Sequence, residues 1–107
     1  MVGLVLASSY QSFGFNPDVL AEAGLKVPDS SWTWGDMISM AETVKEKTGK
    51  YGMANGPVDD TNIFNYWVRQ HGEDLFSDDK KAIGYSDDAV CADFIQMWAD
   101  LMAKGAV

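Results

Sequence analysis

A helix-rich α/β fold, with four helices and a few short strands, is predicted by three observations. Apolar residues recur at helical spacing in four stretches, each opened by a capping side chain and each closed by a glycine, at Gly24, Gly49, Gly72 and Gly105. Between them stand short aromatic or apolar runs of strand length. The composition, 47% hydrophobic and 22% charged, is that of an ordinary globular chain, and 107 residues make a single domain, 1–107, with a core but without room for two lobes.

Taken in order, residues 2–7 are an apolar run and residues 10–15 carry Tyr10, Phe13 and Phe15; both read as buried strand. Asn16 then caps a helix over 17–23: Pro17 suits the first position because its missing N–H is not needed there, and Asp18 suits the positive end of the helix dipole. Val19, Leu20 and Ala23 form its apolar stripe. After a loop over 25–32, Thr33 with Asp36 three residues on forms a capping-box pattern. The helix it opens, 34–48, has Met37, Ile38, Met40, Ala41 and Val44 on one face and Glu42, Lys45, Glu46 and Lys47 mostly on the other. Glu42 and Glu46 repel each other one turn apart, so the polar face is expected to be solvated rather than bridged.

Tyr51-Gly52-Met53-Ala54 reads as a short strand of a central sheet, and Asn55-Gly56-Pro57 as a turn. Asp60 or Thr61 opens a third helix carrying Ile63, Phe64, Trp67, Val68 and His71. Residues 74–85 suggest a hairpin, Leu75-Phe76 against Ala82-Ile83-Gly84-Tyr85 around a polar turn. Ser86 is expected to cap the last helix, with Asp87 and Asp88 in its first turn. Its wide stripe comprises Val90, Cys91, Phe94, Ile95, Trp98, Leu101 and Met102.

The net charge of −8 argues against nucleic acid and anionic membranes as partners, since both require a basic surface. One cysteine, Cys91, makes neither an internal disulfide nor a paired-cysteine zinc site and reads as a buried, inert thiol. No apolar run is long enough to span a bilayer, and Met1 to Leu6 lacks the basic and long apolar regions of a signal peptide. No nucleophile elbow, phosphate loop, dinucleotide glycine pattern or calcium loop is present, so neither cofactor nor enzymatic activity has positive support. His71 has no partner at ligand spacing and suits the negative end of a helix.

The aromatic residues bear most on function. A tryptophan or tyrosine can stack on the apolar face of a sugar ring while nearby Asp and Asn side chains bond its hydroxyls. Trp98 lies in a core stripe, Trp34 pins the first two helices, Trp32 makes a staple-like contact, and Trp67 shares a face with Ile63 and Phe64. Each therefore has a packing role to set against a binding one. Tyr66 points away from that stripe and is a cleft candidate. The polar cluster Asp59-Asp60-Thr61-Asn62 begins a helix, where ligands are commonly contacted, although capping and solvation also account for it. The Asp pairs at 59–60, 78–79 and 87–88 are sequence neighbours whose side chains diverge, which is poor geometry for paired catalytic carboxylates.

The order of these pieces resembles the extracellular solute-binding proteins, maltose-binding-protein-like, that feed sugars to ABC importers. The resemblance rests on Phe15-Asn16-Pro17-Asp18, Ala23-Gly24-Leu25, Pro28, Trp32-Thr33-Trp34, Tyr51-Gly52, Trp67 with Gln70-His71-Gly72, and the helix from Ser86 to Gly105. Phe15 stands where Tyr is commoner and Pro17 where Lys is commoner. The likeness spans about 90 of the 107 residues and is architectural rather than tied to one motif. It implies a periplasmic-binding-protein-like lobe fragment, an excised part of a two-lobe protein outside the cytoplasm, whose intact form closes on a saccharide and presents it to ABC permease subunits in the membrane. By position it carries ligand contact over to Ser9, Tyr10, Asp60, Asn62, Asn65 and Tyr66. One lobe alone is expected to bind sugars weakly and to self-associate through uncovered apolar surface. Two other readings stay open: a non-catalytic interaction or oligomerisation module, and a carbohydrate-active enzyme domain using Asp residues.

Overall fold

Three of the helices begin where side chains take over the amides that a first turn leaves free. The computed structural model describes residues 7, 12–54 and 61–107. Its elements are α1 (Pro17–Glu22), α2 (Trp34–Thr48), α3 (Thr61–Gln70) and α4 (Asp88–Ala103). At α1, Asn16 Oδ1 accepts from the amides of Asp18 (3.1 Å) and Val19 (3.2 Å). At α2 the capping box closes in both directions: Thr33 Oγ1 accepts from the Asp36 amide (3.2 Å), and Asp36 Oδ2 accepts from the Thr33 amide (2.9 Å) and hydroxyl (2.6 Å). Gly49 ends α2 with φ 71°, a conformation that strains any residue with a Cβ.

Six residues are too few for a helix to stand alone. α1 is held by burying Leu20 and Ala23 against Val44 of α2, with Phe15, Val19, Leu25 and Met40 around them. The main core adjoins this cluster along the same buried stripe of α2, where Met37 and Ala41 meet Phe94, Trp98 and Leu101 of α4 and Ala106 of the C-terminal tail.

Several expectations are corrected. Tyr51–Ala54 is not a strand. The amides of Gly52 and Met53 both donate to one carbonyl, that of Ala106 (2.8 and 3.1 Å), which leaves no ladder to build. Residues 12–16 carry no strand either. Residues 2–6 of the expected first run and residues 10 and 11 of the second lie outside the described residues. Asp87, not Ser86, caps α4: Asp87 Oδ1 accepts from the Ala89 amide (2.8 Å). Ser86 is engaged elsewhere, its amide and hydroxyl both donating to Glu73 Oε1 (3.2 and 2.7 Å). Glu42 does not sit on a merely solvated face, because Lys104 at the far end of α4 donates to it at 2.6 Å. That ion pair holds the Lys104 ammonium above its ordinary value, chiefly through the hydrogen bond to Glu42. Cys91 is half-buried rather than buried.

The hairpin forms as expected. Phe76 pairs with Ile83, the Ser77 amide donates to Ala82 O (3.0 Å) and the Gly84 amide to Leu75 O (3.1 Å). Lys80 takes φ 60° at its tip. A Cβ on Gly84 would stand 2.5 Å from the Asp74 carbonyl oxygen, so the two hairpin arms approach closely only because residue 84 is glycine.

Candidate functional site

The candidate residues within the described chain gather on the first two turns of α3, and α3 is held rigidly from its opposite side. Its packed face consists of Ile63, Phe64, Trp67 and the fully buried Val68. Trp67 anchors it. The indole Nε1 donates to Val90 O of α4 (2.9 Å), and the ring meets Trp34 edge-on at 5.4 Å and Phe94 at 5.7 Å. Phe64 is clasped between Phe94 (5.0 Å) and Tyr85 (5.8 Å). Trp34 Nε1 donates to Gln70 Oε1, tying the last turn of α3 to the first turn of α2. Edge-to-face ring contacts of this kind add about 0.5–1.5 kcal/mol each beyond the area they bury. His71 closes the helix end, its Nδ1 lying 2.8 Å from Trp67 O and its ring 4.7 Å from the Trp67 ring.

The outward face follows from helical spacing. Asn62 and Tyr66 are one turn apart and Asn65 adjoins them, so α3 brings three of the candidates together. Tyr66 is 50% exposed, Asn62 is exposed and Asn65 half-buried. Ser9, Tyr10 and Asp60 lie outside the described residues.

Arg69 was not among the candidates, although it stands three residues beyond Tyr66 and seven beyond Asn62, on the same stripe. The 62/66/69 spacing was the available signal. Its guanidinium lies 3.8 Å from Asp74, an exposed pair that contributes little energetically. Arg69 is thus a donor on the same face as an aromatic ring and two amides, a set suited to binding hydroxyls.

Other features lie elsewhere. A groove of 310 Å³ runs between α2 and α4 beside Ile38, Glu42, Asp93 and Lys104, and a second of 410 Å³ lies between the 25–32 loop and α2. Neither includes a candidate residue. Among the described residues no three His, Cys, Asp or Glu side chains gather as a metal site, and no helix is long and apolar enough to cross a membrane. Burial, then the neighbouring Cys91 thiol, raises the Tyr85 phenol above its ordinary value. Tyr85 packs on Phe64, which places it among the supports of α3.

Comparison with known proteins assigns the class. The sequence matches the bacterial extracellular solute-binding protein family over residues 3–107, and the chain belongs to that family. Among solved structures it is similar to a family 1 extracellular solute-binding protein from Alicyclobacillus acidocaldarius, with 26% identity and a TM-score of 0.68. The match covers 85% of this chain and 22% of that one, so the chain spans about a fifth of the length of its solved relative. The family is one of extracellular proteins, which implies a location outside the cytoplasm.

Proposed function

We propose that this chain supplies one side of a saccharide-binding cleft in the solute-binding component of an ABC importer, without catalysing a reaction. The observation that carries the reading is the outward face of α3, where a half-exposed Tyr66 stands beside Asn62, Asn65 and Arg69 on a helix fixed from behind by Trp67 and Phe64. A rigid aromatic ring presents the apolar face a pyranose stacks on, and the short amide side chains reach its hydroxyls at little ordering cost. Arg69 adds donors at the cost of ordering a longer chain. In the proposed arrangement Ser9, Tyr10 and Asp60 border the same cleft. The parent protein is periplasmic or lipid-anchored at the cell surface, and its closed, loaded form is what the permease recognises.

One face of a cleft offers only part of the hydrogen bonds and stacking partners a sugar needs, so affinity for the chain alone is millimolar or weaker. Backbone amide shifts, followed by NMR while a panel of mono- and oligosaccharides is titrated in, test this directly. Small saturable shifts are expected at Asn62, Asn65, Tyr66 and Arg69, abolished by Tyr66→Ala with the fold intact. No shifts with any sugar would overturn the assignment of this face. Micromolar binding would overturn the one-sided cleft.

A further inference from the structure

The outward stripe of α3 has a charge polarity of its own. At about 100° per residue, Asn62, Asn65, Tyr66 and Arg69 fall within an arc of about 100°, opposite the packed Phe64, Trp67 and Val68. Asn62 and Arg69 stand seven residues apart, about 10.5 Å along the axis. Acidic residues outnumber basic ones 16 to 8 in the chain, yet Thr61–Gln70 contains no Asp or Glu. Asp59 and Asp60 precede the helix in sequence, next to its Asn62 end, and Arg69 lies in its last turn.

Arg69 is the one arginine of the chain; the other permanently charged basic residues are lysines. Either residue suits the negative end of a helix, because the dipole responds to charge alone. What arginine adds is a planar fork that meets a carboxylate or phosphate with two parallel hydrogen bonds. In this structure the fork is unused. Its Nε lies 3.8 Å from Asp74 Oδ1, too far for a hydrogen bond, and both side chains are mostly exposed. Among the described residues the guanidinium donates no hydrogen bond. An ion pair of this kind contributes little, so a better-placed anion displaces it readily.

Resting on the saccharide-cleft reading above, we propose that the ligand is an anionic saccharide, a sugar bearing a carboxylate or a phosphate, and that Arg69 selects it. The sugar ring stacks on Tyr66, its hydroxyls meet Asn62 and Asn65, and its anionic group lies on Arg69, one turn farther along. The reverse orientation would bring the anion toward Asp59 and Asp60, where like charges repel. The net charge of −8 does not override the contact, because charges beyond about 8–10 Å are largely screened at physiological salt.

Glucose and galactose, each compared with its uronate and with the phosphate ester at its primary hydroxyl, keep one ring and change the charge at one carbon. Titrating each into the chain, with amide shifts followed by NMR, isolates that charge. At least one anionic sugar is expected to bind about 5-fold tighter than its neutral parent, the upper end for an exposed charge pair. The tighter of the two anions identifies the group. In Arg69→Gln the ratio falls to about one, and far-UV circular dichroism verifies that the fold is kept. Equal affinity for neutral and anionic sugars at Tyr66 overturns this proposal and leaves the saccharide cleft standing. So does a preference that survives Arg69→Gln. Inorganic phosphate that reproduces the shifts of the phosphate esters, and does so in Tyr66→Ala as well, marks a bare ion contact and also overturns it. If no sugar shifts the α3 face, the cleft reading itself fails and this proposal falls with it.

Discussion

Trp98 combines deep burial with an unmet polar demand. It is 4% exposed in the α2–α4 core, in edge contact with Phe94 at 6.3 Å, yet its buried Nε1 has no hydrogen-bond partner among the described residues. A buried donor left unsatisfied costs about 1–3 kcal/mol, whereas truncating a core tryptophan costs about 3–5 kcal/mol. The two effects separate by substitution. Trp98→Ala is expected to lower stability by about 3–5 kcal/mol, enough to unfold much of so small a domain. Trp98→Phe keeps a ring and removes the orphan N–H, so its loss is expected to stay within about 1.5 kcal/mol. Urea denaturation of the two variants checks this; equal losses would mean that the retained ring does not keep the packing. Trp67 is the contrasting case, since its Nε1 finds Val90 O.

Among the elements, α2 is the one whose start is most fully specified, and its cap makes a pH prediction. The Thr33 hydroxyl, then the Thr33 amide, holds the Asp36 carboxyl below the ordinary carboxylate value. Its value is thus lower folded than unfolded. The stabilisation is fully present above the unfolded value of about 3.9, and is lost as pH falls through the folded one. Acid titration followed by amide exchange in the first turn of α2 is expected to show that turn opening below about pH 4. In Asp36→Asn, which has no carboxylate to protonate, the pH step disappears. A step of the same size in that variant would assign the effect to another group.

For the molecule as a whole, the C-terminal tail acts as a fastener. Ala106 is fully buried and its carbonyl takes both the Gly52 and Met53 amides, while Gly52 lies so close to Ala41 that an added Cβ would overlap the α2 backbone. Chain segments from before α3 and after α4 thereby meet on α2. Gly52→Ala is expected to cost at least about 1–3 kcal/mol, because neither the helix backbone nor the doubly bonded tail can give way. A thermal melt checks it, with an unchanged midpoint counting against the fastener. The molecule is also open in shape, its radius of gyration of 16.8 Å exceeding the ~13 Å of a compact chain of this length. That openness accords with a chain matching 22% of its solved relative.

Local chemistry was legible in the sequence. Asn16, Thr33 with Asp36, and the four stop glycines mark their ends because capping is decided within a few residues of the chain. The apolar spacing of α3 also revealed that Tyr66 faces away from Phe64 and Trp67, and the family order was readable from short words such as Tyr51-Gly52. Longer-range partners were not readable. The sequence assigned capping to Ser86, but Glu73, thirteen residues away, claims it. Glu42 looked solvated until Lys104 came within reach. The apolar stripe of α4 read as one surface, and only packing divides it into a buried half, from Val90 to Leu101, and an outer half at Ile95 and Met102. By itself, then, the sequence determined where helices start, stop and turn their apolar sides, since neighbouring residues control those choices. Which apolar side is covered, and which polar groups meet, was decided by the tertiary structure, because those contacts join residues that the chain alone holds apart.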